Sequence, residues 1–181
     1  ISNPVPIMIA AMDPSSIRNA AAEGYHVQST VLSGTKKLLL ERTNAFKEGK
    51  EKAKESGKMM KLSMQRIAYA AKNDQDAKEK NLLAYEYYKR FDNMFTGPGK
   101  VDKGLVEPLP RKQTLEELTE NLLVCTPTQM VDKLEMYAEA GVDEIIISAG
   151  FGQSQEDMID SMHRISEKVI PYFQSDQIKV S

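Results

Sequence analysis

Residues 6–30 read PIMIAAMDPSSIRNAAAEGYHVQST, and the order of residue types in this stretch decides the fold. Ile7 to Ala11 is a near-continuous apolar run, the pattern of a strand covered on both faces. Asp13 followed by Pro14 marks a helix start: an acceptor side chain suits the cap, and proline needs no N–H in the first turn. Ala20, Ala21 and Ala22 favour helix, and Gly24 suits the left-handed residue that ends one. From Tyr25 to Thr30 the pattern turns extended again. The stretch is one strand–helix–strand unit, with a helix N-terminus just beyond the C-terminal end of a strand. In parallel sheets, ligands and phosphates above all bind at that end.

Working outward, helical and extended patterns alternate. A helix opens at Lys36, with Leu39, Thr43 and Phe46 on its inner face. Residues 47–58 are almost wholly charged and small, as in a solvated helix end or loop. Met60, Leu62 and Met64 alternate with Lys61, Ser63 and Gln65, a strand pattern that runs into the more buried Ile67-Ala68-Tyr69-Ala70. Asn73 and Asp74 suit a turn and cap. Beyond them Ala77, Asn81, Ala84, Tyr85, Tyr88, Phe91 and Phe95 fall near one helical face, a spacing that reads as core packing rather than an aromatic ligand box. Residues 97–110 carry six glycines and prolines, and are read as a long loop. Loops of this length in compact domains are functional or mobile, and the segment 97–113 is treated as a mobile loop or insertion.

Leu115, Leu118 and Leu122 indicate a short helix. Thr126-Pro127-Thr128-Gln129 is a helix start with a capping-box glutamine. Met130, Leu134, Tyr137 and Ala138 form the expected buried stripe, Gly141 ends that helix, and Glu144 to Ser148 is a strand. The last helix opens near Ser154, buries Met158, Ile159, Met162, Ile165 and Val169, and stops at Pro171. The runs Ala21-Ala22-Glu23-Gly24-Tyr25 and Ala138-Glu139-Ala140-Gly141-Val142 share a helix–glycine–strand design, better explained by common packing demands than by duplication.

Composition narrows the function classes. The length of 181 residues suits one domain, and 24 basic against 26 acidic residues leave the charge near neutral. No basic run with interleaved aromatics is present, so nucleic acid is excluded as a partner. No apolar stretch approaches membrane-spanning length and no signal peptide is visible. Cys125 is the single cysteine, which excludes an internal disulfide framework and a cysteine metal cluster. A soluble cytoplasmic protein without a metal is expected. The first residue is Ile1 rather than Met, a hint of missing upstream sequence that processing or trimming would equally produce.

Four strands separated by helices imply parallel pairing with right-handed crossovers. Four such units are half of an eight-stranded barrel. Alone they leave two open edges, which invites association. An open four-stranded sheet with helices on both faces is the competing architecture.

The run PIMIAAMDPSSIRNAAAEGY resembles the opening of the second half of the flavin-dependent, bacterial-luciferase-like monooxygenases. TPTQMVDKLEMYAEAGVDEIIIS followed by EDMIDSMHRISEKVIPYF is similar to the closing part of that family, and RIAYAAKNDQDA to its penultimate strand. The resemblance covers nearly the whole chain, in order. It implies an α/β fold of the TIM-type (β/α)8 barrel family, here about half a barrel, residues 1–181 being the C-terminal half. It implies an oxidoreductase that uses reduced FMN and oxygen to oxidise a small organic substrate. A deazaflavin that transfers hydride is the close alternative, and a non-catalytic flavin- or phosphate-binding half-barrel is another. A homo-oligomer, or a missing N-terminal half, would close the open edges. A third class, a ligand-free fragment held together by self-association, is also consistent with these edges.

In barrels of this kind the active face lies at the C-terminal ends of the strands. Candidates there are Met12, Asp13, Ser15 and Ser16 after the first strand, Thr30 and Ser33 after the second, Lys72 and Asn73 after the third, and Ser148, Ala149 and Phe151 after the fourth. The resemblance implies that the first turn contacts the flavin phosphate, through the Met12 and Asp13 backbone with Ser15 and Ser16 adding donors. Asp13 departs from the family pattern, where a hydroxyl residue is common. Its plain reading is an N-cap, and a carboxylate beside a phosphate is repulsive. Phe151 would wall a ring pocket or close the mouth. His26 lies at the opposite end of its strand, His163 lies within a helix, and Cys125 has no nearby histidine, so none is read as catalytic. No catalytic residue is assigned. The loop 97–110 is a candidate lid that keeps water from the reaction.

Overall fold

The computed structural model describes residues 5–54, 59–95 and 97–177. In chain order the elements are β1 (Met8–Ala10), α1 (Pro14–Ala22), β2 (His26–Thr30), α2 (Lys36–Lys52), β3 (Leu62–Ala70), α3 (Asp74–Phe95), β4 (Val101–Asp102), β5 (Leu105–Val106), α4 (Leu115–Asn121), β6 (Leu123–Cys125), α5 (Pro127–Glu139), β7 (Glu144–Ser148), α6 (Gln155–Lys168) and α7 (Ile170–Gln177). They sort into two compact units, Ile1–Arg66 with Leu134–Ser148, and Ile67–Lys133 with Ala149–Ser181.

In the first unit, β1 pairs parallel with β2, Met8 facing His26, and β2 pairs parallel with β3, Val27 facing Leu62 and Thr30 facing Gln65. β7 lies on the other side of β3. Asp143 N–H donates to Leu62 O at 2.9 Å, Ser63 Oγ to Glu144 Oε2 at 2.7 Å, and Gln65 Nε2 to Ser148 Oγ at 2.8 Å. These contacts climb the two strands in the same direction. Ile17, Ala21, Val27, Phe46, Met60 and Leu62 are the heart of the core. α1 crosses α2 at the buried Gly49, where a Cβ would stand 2.3 Å from Arg18 O. Gly24 ends α1 at φ +88°, a conformation glycine adopts without a steric cost.

Three expectations for this unit are corrected. β1 is not covered on both faces: Ile7, Met8 and Ile9 are all exposed, and β1 is an edge strand that bonds only to β2 among the described residues. Ser63 does not alternate outward. It is fully buried, and the Glu144 carboxylate satisfies its hydroxyl. Ala138 lies on the exposed side of α5, while Tyr137 is buried. The charged stretch after Phe46 continues α2 as far as Lys52, and residues 55–58 lie outside the described residues.

In the second unit, the upper part of β3 pairs parallel with β6, Ala68 facing Leu123 and Ala70 facing Cys125. That strand is too short to leave a sequence period. Residues 97–110, read as a loop, contain the antiparallel hairpin β4–β5, with Val101 facing Val106. Asn93 braces it, donating through Nδ2 to Lys100 O and Glu107 O, both at 2.8 Å. On α3, Tyr88 is buried as expected, but Phe95 is exposed and stacks on Phe91 at 4.1 Å. The inward face of α6 carries Ser161 and Ile165, and Ile159 and Met162 are exposed. A serine faces inward because its Oγ accepts the Ala70 N–H at 2.8 Å. Pro171 does not end a helix chain; it sits in the first turn of α7, where its missing N–H costs nothing. Among the described residues no helix is long and apolar enough to cross a membrane.

Candidate functional site

The β1–α1 turn is built by local chemistry. Asp13 is the N-cap of α1, with Pro14 next to it. Its Oδ1 accepts Ser15 N–H at 2.9 Å, Ser16 N–H at 3.2 Å and the Ser15 hydroxyl at 2.6 Å. The Ile17 N–H goes to Asp13 O at 3.1 Å. The serine hydroxyls and amides hold the Asp13 carboxyl far below the usual carboxylate range. Met12 is exposed, and its carbonyl accepts Arg42 Nε at 2.7 Å. A trans peptide points its C=O and N–H in opposite directions. Pinning Met12 O against a buried guanidinium therefore turns Asp13 N–H away from Arg42.

Sequence reading missed Arg42 and Arg66. Both are buried, and their charges oppose one another. Burial holds the Arg42 pKa down, with Glu41 pulling up and Arg66 down. Arg42 Nη1 is buried without a hydrogen-bond partner among the described residues. Arg66 Nη1 donates to Leu32 O, and its guanidinium lies 5.7 Å from the centre of the Tyr137 ring. Leu32 has φ +50°, a strained conformation for a branched side chain, held by Arg66 and by a bond from Leu32 N–H to Thr30 Oγ1 at 3.0 Å. The signal available in sequence was Arg42 lying one residue from Thr43 on the inner face of α2.

The other candidates of this unit meet through Gln65. Thr30 Oγ1 donates to Gln65 O at 3.0 Å, and Gln65 Nε2 donates to Ser148 Oγ. Ser33 is half-buried. His26 is at the opposite end of β2, its Nδ1 accepting Lys61 N–H at 3.1 Å, a structural role.

The second unit carries a polar cluster at the C-terminal end of β3. Lys80 Nζ is 3.0 Å from Asp157 Oδ2 and 3.5 Å from Asp76 Oδ1. Tyr69 OH donates to Asp76 Oδ2 at 3.2 Å, and Lys72 N–H to the same oxygen at 2.9 Å. Asn73 Oδ1 accepts Asp76 N–H at 2.9 Å, so Lys72 and Asn73 both serve Asp76. Phe151 is buried edge-on against Tyr69, their ring centres 6.2 Å apart. Arg164 Nε donates to Ala70 O at 2.6 Å. Burial, then the Asp76 and Asp157 charges, push the Tyr69 hydroxyl well above its ordinary pKa. Lys80 stays charged: burial pulls its pKa down, but its bond to Asp157 and the two carboxylate charges outweigh that. Cys125 is buried and its thiol is pushed up to about 11, so it is a poor nucleophile. His163 is exposed on α6. Among the described residues no group of acids, histidines or cysteine is placed to hold a metal.

The profile of the luciferase-like monooxygenases matches residues 1–144. The chain belongs to that family. Its α/β fold of parallel strands alternating with helices is the luciferase-like barrel fold, over about half of such a chain. It is 26% identical over 180 residues to the oxygenase component of flavin-dependent trigonelline monooxygenase from Acinetobacter baylyi, covering 96% of this chain and 50% of that protein. The oxygenating constituent of 3,6-diketocamphane monooxygenase from Pseudomonas putida, solved with FMN, superposes with a TM-score of 0.61 at 21% identity over 92% of this chain and 48% of that one. The coenzyme F420-dependent tetrahydromethanopterin reductase of Methanopyrus kandleri superposes at 0.64, with 16% identity over 93% and 51%. The chain thus spans about half the length of the relatives it matches.

A flavin mononucleotide brings a phosphate, and the β1–α1 turn as arranged does not fit one. The N–H groups of Ser15 and Ser16 are taken by Asp13, and the turn already holds an ionised carboxylate. The Met12 and Asp13 N–H groups remain: among the described residues neither donates to a backbone carbonyl.

Proposed function

We propose that this chain is part of a flavin-dependent oxidoreductase that uses reduced FMN and oxygen on a small organic substrate. The observation that carries the reading is the match of residues 1–144 to the luciferase-like family, in a chain whose parallel strands alternate with helices as in that fold. The relation to a flavin-dependent oxygenase component and the FMN-bound structural neighbour support it. A bound flavin would supply the redox chemistry. At the turn of Met12, Asp13, Ser15 and Ser16 this chain would supply the open amides of Met12 and Asp13, the Ser15 and Ser16 N–H groups being held by the Asp13 carboxylate. Arg42 and Arg66 hold the carbonyls of Met12 and Leu32 and so keep two strand-end turns in one shape. Hairpin β4–β5 is the proposed lid.

A deazaflavin cofactor is the second reading, favoured by the F420-dependent neighbours. A binding protein without turnover is the third. The exposed Ile7, Met8 and Ile9 of β1 and Ile146 and Ile147 of β7 would be covered by the other half of a barrel or by a second copy.

The test is a titration of the purified chain with FMN and with deazaflavin, read by flavin fluorescence, followed by oxygen uptake with reduced FMN and an added aldehyde or ketone. Saturable FMN binding with substrate-dependent uptake is expected. Binding of deazaflavin but not FMN would move the assignment to the second reading. FMN binding without uptake in a preparation supplied with the other barrel half would move it to the third, and binding of neither cofactor refutes both enzyme readings.

A further inference from the structure

We infer that Asp13 competes with the cofactor's phosphate for the N-terminus of α1, so that this turn as built does not fit the phosphate of a flavin mononucleotide. The inference rests on the flavin reading above for the identity of the ligand.

The first-turn donors of a helix are what bind an anion there. Here each is spent. Position 14 is a proline and has no N–H, Ser15 and Ser16 donate to the Asp13 carboxylate, and Ile17 donates to Asp13 O. The Ser15 hydroxyl, a natural phosphate donor, points to the same carboxylate at 2.6 Å. An arriving phosphate meets an occupied cradle.

Displacing the side chain does not solve the problem. The carboxylate stays tethered to the turn and stays charged. No salt bridge to Asp13 is found among the described residues. The buried Arg42 is not bonded to it: its Nε is on Met12 O. A phosphate monoester carries about −1.5 to −2 at neutral pH. At about 4 Å from a carboxylate, with the dielectric constant of water, the repulsion weakens binding by roughly 10- to 30-fold. A serine at this position would cap α1 equally well without the charge.

The experiment compares FMN with riboflavin, which share the ring and differ by the phosphate, on the full chain and its Asp13→Ser and Asp13→Asn variants. Binding is read by flavin fluorescence. Circular dichroism and urea midpoints check that both variants keep α1, as serine and asparagine are good caps. FMN should tighten about 10- to 30-fold in both variants, the Coulomb penalty worked above, while riboflavin stays within about twofold. FMN affinity that is unchanged or weakened in Asp13→Ser, or an equal gain for both flavins, overturns the inference. Inorganic phosphate is the second probe, read as a rise in Tm. A rise in the Asp13→Ser variant but not in the native chain supports the competition even where neither flavin binds, and the flavin reading alone then falls. If the variant gains affinity for neither FMN nor phosphate, the inference fails.

Discussion

Replacing Gly49 with alanine sets helix propensity against packing, and the structure decides the sign. Propensity alone favours the change by about 0.8–1.0 kcal/mol in a helix interior. At this position the new Cβ would lie 2.3 Å from Arg18 O and 2.7 Å from Ala21 Cβ. The first of these is backbone of α1 and cannot turn aside, so the two helices must separate by about 1 Å to reach ordinary contact. A gap of that size forfeits a quarter to a half of the dispersion across the interface, which includes the buried Ile17, Ala21 and Phe46. Overpacking of this kind costs about 1–3 kcal/mol, and a backbone clash belongs at the upper end. The net expectation is a loss of about 2 kcal/mol. For a chain of this size that lowers Tm by roughly 4–8 °C. Thermal melts followed by circular dichroism at the helix band give the measurement. An Asn44→Ala variant on the exposed side of the same helix serves as the propensity control. Gly49→Ala stabilised by about 1 kcal/mol would mean that α1 and α2 do not touch there, and the packing of the β1–α1 turn described above would be wrong.

Other outcomes follow from single groups. The Asp157 carboxyl is held low by Lys80 and then by Ser154. Its contribution is therefore complete above the unfolded value near 3.9 and is lost as pH falls through the lower folded value. Asp157→Asn should flatten the acid limb of the stability curve measured in urea, and an unaltered limb counts against the pair. Lys80 is raised, so its contribution is complete below about 10.4 and is lost as pH rises through the higher folded value. Lys80→Met should remove that alkaline loss while lowering stability at neutral pH. Cys125, with its thiol pushed up from 9.0 to about 11, should react with iodoacetamide at pH 8 roughly 100-fold more slowly than in the unfolded chain, from thiolate population alone. Equal rates would show that the site is open. Replacing residues 97–113 by a short Gly-Ser linker, in a preparation that turns over, should raise hydrogen peroxide release per reduced flavin consumed. Unchanged coupling removes the lid role from the β4–β5 hairpin.

What could be read in the sequence was what is decided within a few residues. Asp13, Pro14 and Gly24 bound α1 because capping and left-handed geometry act over two to four positions. The same holds for Ser154 at the start of α6, whose Oγ accepts Asp157 N–H at 3.1 Å, and for Gln129, whose side chain accepts Thr126 N–H at 3.0 Å. The parallel order followed from alternation of strand and helix, and the occupied cradle at Asp13 is equally local. What escaped is carried by long-range contacts. Arg42 reaches Met12 across 30 positions, and Lys80 reaches Asp157 across 77. Ser63 is buried because Glu144 is 81 positions away and yet beside it. β6 exists because β3 offers it an edge. A side chain's local sequence sets its propensity and charge, but burial and partners depend on which distant segment packs against it, and only the folded chain supplies that.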